Sequence, residues 1–260
     1  MIGVRVASVG VLAPGLPDWP HASAVLTGRA RYVPDAMPDP IPALLPANER
    51  RRASISVRWA LAAGCEALAA SGRSADEVAT VFASCGGDGA ITHQICEALA
   101  TATRDISPTR FHNSVHNAPA GYWSIATRSH APSTSLCGYR ATFAVGLLEA
   151  MAQVAHDGAA VLLIAYDIPY PAPMQALWPV SQPFAAALML EPTGALGAHF
   201  QVEVRPSDAR SAWPAMLPER LADNPAAHAL PLLAALARHE ACTVSLPYLE
   251  GSHIAVKVTA

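Results

Sequence analysis

The residues with the clearest chemical potential lie in a predicted turn between a strand and a long helix. Residues 132–136 are small and β-branched, and residues 137–140 (Cys-Gly-Tyr-Arg) make a sharp bend. From Ala141 the apolar residues recur at spacings of three and four, which predicts a helix that ends at Gly158. The continuous apolar run 159–165 then predicts a buried parallel strand. A turn of this kind is where an α/β protein commonly places a nucleophile, so Cys137 and Arg140 are the first candidates.

Other residue types that could do chemistry are scattered. The five cysteines are Cys65, Cys85, Cys96, Cys137 and Cys242, and no two have CxxC spacing. This pattern argues against a disulfide framework and against zinc, and it indicates a reducing, cytoplasmic compartment. The histidines at 112, 116 and 130 fall on different predicted elements with no neighbouring carboxylate, so we expect no metal site.

Composition limits the possible partners. The chain has 260 residues, of which 52% are hydrophobic and 14% charged, and its net charge is -3. So few charges indicate much buried surface and a large interface with a partner protein. The charge balance gives no reason to expect nucleic-acid binding. The longest apolar runs have the length of a strand, so we expect no membrane span, and the first residues are interpreted as a strand rather than a signal peptide.

The elements that position the turn follow an α/β order. We predict a first strand at 2–11, a Pro-rich loop at 12–48 with a short helical turn near 21–26, a helix at 49–70, a strand at 78–84 and a helix at 91–101. Residues 106–115 are predicted to be extended, with a short helix at 122–127. After the central unit we predict two antiparallel strands at 184–190 and 199–205, a helix at 230–239, and a hairpin of strands 243–246 and 254–258. The glycines of the segment 85–89 predict close backbone approach, either around a phosphate or at a subunit contact.

Three consecutive arginines begin the predicted helix at 49–70. Arg50, Arg51 and Arg52 are interpreted first as a solvated helix end. The alternative is a docking patch for an acidic carrier protein.

Several of these segments resemble the β-ketoacyl synthase branch of the thiolase fold. The most specific are FHNSVHNAPAGYWSIAT and APSTSLCGYRATFAVGLLEA. The resemblance is strongest to the short chain-length factors of aryl polyene and type II polyketide systems. It implies a thiolase-like α/β fold, with a mixed sheet, α-β-α layering and a strongly truncated second half. Residues 1–205 correspond to the ketosynthase-like half, and 206–260 to a C-terminal remnant of a helix and a β-hairpin, packed on the same domain.

The resemblance places Arg140 where an active ketosynthase carries its cysteine. A guanidinium stays protonated and has no lone pair with which to attack a thioester. His228, His239 and His253 match none of the family's decarboxylation motifs. We therefore expect no catalytic residue, and we expect the chain to need an active ketosynthase partner. The alternative is a cysteine-dependent acyltransferase or thioesterase that uses Cys137 or, less directly, Cys85.

The leading hypothesis is a non-catalytic chain-length factor that forms a heterodimer with a β-ketoacyl synthase and shapes its acyl tunnel. The resemblance implies that acyl carrier protein is met mainly through the partner, and it implies no cofactor. It also implies a set of tunnel and interface residues: Phe111, His112, Val115, His116, Asn117, Tyr122 and Trp123. A carrier-binding scaffold that uses the three arginines and contributes to no tunnel is the third hypothesis.

Overall fold

A computed structural model describes residues 2–35, 37, 39–194, 199–206 and 211–259, with the backbone alone for 199–206. Residues 36 and 38 of the predicted loop and residues 207–210 after the predicted strand 199–205 lie outside the described residues.

The strands are β1 (Ile2–Leu12), β2 (Ala79–Ala83), β3 (Ser133–Leu136), β4 (Val161–Asp167), β5 (Phe184–Pro192), β6 (His199–Pro206), β7 (Cys242–Pro247) and β8 (Ser252–Thr259). The helices are α1 (Trp19–Leu26), α2 (Ala47–Arg52), α3 (Ile55–Ser71), α4 (Gly89–Leu99), α5 (Pro108–Asn113), α6 (Ala118–Thr127), α7 (Thr142–Asp157), α8 (Ala172–Gln175) and α9 (Leu230–Arg238).

All of the described strands join one mixed sheet in the order β3-β2-β4-β5-β1-β6-β8-β7. β2 is parallel to β3 and β4, and the other neighbours are antiparallel. Each face of the sheet carries its own hydrophobic core. One core includes α3 and α6, and the other includes α7, α9 and α1. This α-β-α layering confirms the predicted fold class.

The central β-α-β unit is confirmed. α7 ends at Gly158, whose φ of 64° is left-handed and therefore suits a residue without Cβ. Every residue of β4 is buried, because helices cover both faces of the sheet at this strand.

Three predictions of local structure are wrong. The helix predicted at 49–70 is two helices, since the backbone leaves the helical conformation at Ala53 and is extended at Ser54. The segment 106–115 contains a helix, α5, in which Pro108 occupies the first turn, where no backbone N–H is needed. The strands β5 and β6 are not an antiparallel pair, because both flank β1 and run antiparallel to it.

The C-terminal segment extends the same sheet. β6 pairs with β8, and β8 pairs with β7 at the far edge. The proposed division at residue 205 falls at the end of β6 and stays a prediction. Within the described part of the chain, no helix has the length and apolar character needed to cross a membrane.

Candidate functional site

The turn before α7 has a strained backbone. Tyr139 has a φ of 53°, which is uncommon for a residue with a side chain. The Thr142 hydroxyl fixes the turn, because it accepts a hydrogen bond from the Gly138 N–H at 3.1 Å and donates one to the Tyr139 carbonyl at 2.6 Å. A single turn of 3₁₀ helix, Tyr139–Ala141, then leads into α7.

Arg140 is exposed at this turn. Its guanidinium carbon lies 5.9 Å from the centre of the Tyr139 ring, within the range of a cation–π contact. Among the described residues, no hydrogen bond or ion pair engages the guanidinium. The residue at the expected nucleophile position is therefore a free cation rather than a sulfur.

Neither nearby cysteine is placed as an activated nucleophile. Cys137 is exposed, and no described histidine is hydrogen-bonded to it. Cys85 is buried, and burial, followed by the nearby Asp167 carboxylate, raises the pKa of its thiol to about 12. The cavity between Cys85 and Arg140 measures only about 10 Å³, which is too small for a thioester.

A buried carboxylate that the sequence did not single out lies beside Cys85. Asp167, at the end of β4, accepts hydrogen bonds from the Ser84 hydroxyl at 2.9 Å and the Cys85 N–H at 2.8 Å. Burial raises the pKa of Asp167 to about 7, against the opposing effect of these hydrogen bonds. Asn224 donates to the Asp167 carbonyl at 2.9 Å, so the C-terminal segment is tied to the same point. The signal in the sequence was a single acid that ends an apolar strand.

The glycines of segment 85–89 make room for an aromatic ring of the same chain. A Cβ on Gly89 would lie 2.0 Å from the Tyr170 ring, and a Cβ on Gly86 would lie 2.5 Å from its hydroxyl. The predicted close approach is present, and within this chain it is made by Tyr170. The ring centres of Tyr170 and Trp178 are 6.0 Å apart, and those of Trp178 and Tyr139 are 6.2 Å apart. These three rings form an aromatic column that reaches the turn.

A second region, on α5 and α6, forms an apolar groove of about 500 Å³. The lining residues are Pro108, Phe111, His112, Val115, Asn117, Ala118, Gly121, Tyr122 and Ile125. Phe111, Val115 and Ile125 are 66%, 53% and 42% exposed. Large apolar side chains this exposed and this close together indicate a surface that a partner covers.

The groove brings together five of the seven predicted tunnel residues. Tyr122 is buried at the floor of the groove. Its ring packs against the His112 ring in a T-shaped arrangement, with the ring centres 6.2 Å apart. His116 and Trp123 lie elsewhere: the His116 ring bonds the Ser84 carbonyl at 3.0 Å, and Trp123 packs in the core against Phe82.

The three arginines of α2 differ in their surroundings. Arg50 donates to the carbonyls of Ala43 and Leu45, both at 2.9 Å, and so holds the preceding loop. Arg51 and Arg52 are exposed, and among the described residues their side chains bond to Asn48 and Glu49 of the same helix. A carrier-docking role for them stays a prediction.

The surface next to the groove is also open. β3 lies at the edge of the sheet, with no described strand on its outer side. On α4, Ile91, Ile95 and Leu99 form a stripe at a spacing of four that is not buried within the described chain.

The C-terminal segment brings one histidine to the turn. His228 and Arg140 line the same cleft of about 430 Å³. His239 caps α9 and His253 lies in β8. Among the described residues, no group of three or more His, Cys, Asp or Glu side chains is arranged to hold a metal ion.

Comparison with known proteins agrees with this architecture. A family model described as "Beta-ketoacyl synthase, N-terminal domain" matches residues 26–250. A solved structure of a ketosynthase (ApeO) in complex with its chain length factor (ApeC) from Xenorhabdus doucetiae superposes with a TM-score of 0.74 at 23% identity, over 99% of this chain and 100% of the matched chain.

Two further solved structures are similar. The ishigamide ketosynthase/chain length factor gives a TM-score of 0.74 at 14% identity, over 99% of each chain. A type II polyketide synthase acyl-carrier protein in complex with its ketosynthase (AntDE:AntF) gives 0.72 at 13% identity, over 100% of this chain and 99% of the matched one. No curated protein matches the sequence significantly. These likenesses confirm the predicted fold.

Proposed function

We propose that this chain, which belongs to the beta-ketoacyl synthase N-terminal domain family, is a non-catalytic chain-length factor. It pairs with an active β-ketoacyl synthase, which supplies the nucleophile and meets the acyl carrier protein. This chain supplies part of the wall of the cavity in which the acyl product grows.

The proposal rests chiefly on Arg140, which lies in the turn before α7, where the family resemblance implies a nucleophilic cysteine. Its guanidinium is a permanent cation without a nucleophilic lone pair, so it cannot form an acyl-enzyme. The other two candidates are poor replacements. The Cys85 thiol has a pKa of about 12 beside almost no free space, and Cys137 has no hydrogen-bonded histidine among the described residues.

The groove on α5 and α6 supports a role in shaping a cavity. Its exposed apolar residues suit contact with an acyl chain or with the apolar surface of a partner. The outer edge of β3 pairs with no strand of the described residues, and the stripe of α4 is not buried among them, so both offer further surface to a partner. The similar solved structures are described as complexes of ketosynthases with chain length factors or with a carrier protein.

The test uses the length of the product. A packed wall resists another two-carbon unit at a cost of about 1–3 kcal/mol, which corresponds to a roughly 5- to 150-fold change in product ratio. In the complex reconstituted with its ketosynthase, Phe111→Ala removes the most exposed aromatic side chain of the groove. We expect products longer by at least one two-carbon unit, measured by mass spectrometry.

Leu249→Ala is the matched control, because Leu249 is 63% exposed in the turn between β7 and β8, remote along the sheet from β3. It should leave the products unchanged. Identical product lengths for Phe111→Ala and wild type would contradict the proposed wall.

A further inference from the structure

The cleft beside Arg140 has the features of a small-ligand site. Its volume of about 430 Å³ lies within the range of about 300–1,000 Å³ that is common for such sites. Trp213, Pro231, Leu246 and Pro247 give it apolar walls, and Ser211, His228 and Asp223 add polar groups. It is separate from the groove on α5 and α6.

The Arg140 side chain contacts an aromatic ring, and its N–H donors remain available for a ligand. The Tyr139 ring lies under the guanidinium, and Trp178 and Tyr170 support Tyr139 in turn. A guanidinium that contacts a ring with its face keeps the N–H donors on its edge free. Those donors have no acceptor among the described residues, although the carboxylate of Asp223 lines the same cleft.

The apolar wall is also fixed. The half-buried Trp213 indole donates a hydrogen bond from Nε1 to the Leu217 carbonyl at 3.3 Å, which sets the ring orientation. A free cation and an oriented indole that line one cleft favour a ligand with an anionic head and a carbon body.

We propose that this cleft binds a small organic anion, with its carboxylate or phosphate at Arg140 and its body against Trp213. This binding does not depend on the chain-length role, because it uses a different surface and needs no ketosynthase. The anion is recognised by hydrogen bonds and charge, and no covalent step is involved. Asp223 opposes it by charge repulsion and so sets a limit on the negative charge accepted.

The experiment is a calorimetric titration of the purified full chain with three probes: malonate, pantetheine 4′-phosphate and inorganic phosphate. Malonate tests a carboxylate head and pantetheine 4′-phosphate a phosphate head. We expect saturable binding of at least one organic probe. Arg140→Gln should weaken it by tenfold or more, and Asp223→Asn should tighten it by about two- to fivefold.

Arg51→Gln is the matched control, since Arg51 is also exposed, and it should bind like wild type. Circular dichroism checks that each variant is folded. The inference is overturned if no organic probe saturates, if inorganic phosphate alone binds, or if Arg140→Gln binds as tightly as wild type. Equal losses in Arg140→Gln and Arg51→Gln would also overturn it, because they would indicate general charge attraction.

Discussion

The turn before α7 and the groove on α5 and α6 differ in packing and in chemistry. Between the turn and Cys85, the rings of Tyr139 and Trp178 pack together and leave a cavity of only about 10 Å³. The groove is about 500 Å³, and its lining includes the exposed apolar side chains of Phe111, Val115 and Ile125. The space between the turn and Cys85 is therefore closed to a thioester, whereas the groove that would contact a growing chain is open. This contrast is the physical basis of the proposed role.

The largest expected effect that tests this contrast is in cysteine labelling. At pH 8 a thiol with a pKa near 12 is about one part in 10⁴ thiolate, so Cys85 should react with iodoacetamide about a thousandfold more slowly than an ordinary exposed cysteine. Cys137 should react at the rate of Cys96, which is exposed on α4 and serves as the control in the same chain. Peptide mapping by mass spectrometry measures all of these rates. Labelling of Cys137 tenfold faster than Cys96 would indicate an activated thiol and break the contrast.

The next effect is in the pH dependence of stability. The pKa of Asp167 is raised from its ordinary value to about 7, so the folded state holds a proton that the unfolded chain releases. The free energy of unfolding should therefore fall as the pH rises from about 4 to 7, by roughly 4 kcal/mol at most, and then level off. Asp167→Asn keeps an oxygen for Ser84 and Cys85 and should remove this slope.

Urea unfolding of both proteins at several pH values measures the difference. Glu191 acts in the opposite direction. Burial alone would raise its pKa, but hydrogen bonds from Arg73 and Arg5 hold the pKa below its ordinary value. Its contribution is lost only at pH values below the ordinary pKa of a glutamate, and it is common to both proteins. Parallel stability curves for wild type and Asp167→Asn would show that Asp167 does not titrate in this range.

A pair of identical substitutions compares the packing of the two regions. In Gly89→Ala, the new Cβ would lie 2.0 Å from the buried Tyr170 ring, so we expect a loss of about 3 kcal/mol in the free energy of unfolding. In Gly121→Ala, on α6 in the groove, nothing lies within 4 Å of the new Cβ. Because alanine favours a helix, this variant should gain about 0.5–1 kcal/mol. Equal losses at both positions would contradict the difference in packing.

Most of the secondary-structure elements that depend on local residue patterns were predicted from the sequence. The apolar run of β4, the stripe of α7 and the glycine at 158 specify the central β-α-β unit without outside information. The placement of Arg140 in the turn also followed from the sequence, through the motif on either side of it. The helix α5 was missed, because six residues that begin with a proline carry too little periodicity to identify a helix.

Contacts between residues far apart in the chain could not be predicted from the sequence. Nothing local places His228 and Arg140 in one cleft, or Asp167 beneath Cys85, since residues far apart in the chain meet only in the folded sheet. The order of β5, β1 and β6 in the sheet could not be predicted for the same reason. The two predicted strands follow each other in sequence, but the first strand of the chain lies between them.

The most direct test of the central claim is the rate of condensation by the reconstituted complex when this chain lacks both candidate thiols. A Cys85→Ala/Cys137→Ala double variant, combined with the ketosynthase, carrier protein and malonyl donor, should turn over within twofold of the wild-type complex and give the same products. A loss of tenfold or more in a folded double variant would show that this chain supplies a nucleophile, and would contradict the account.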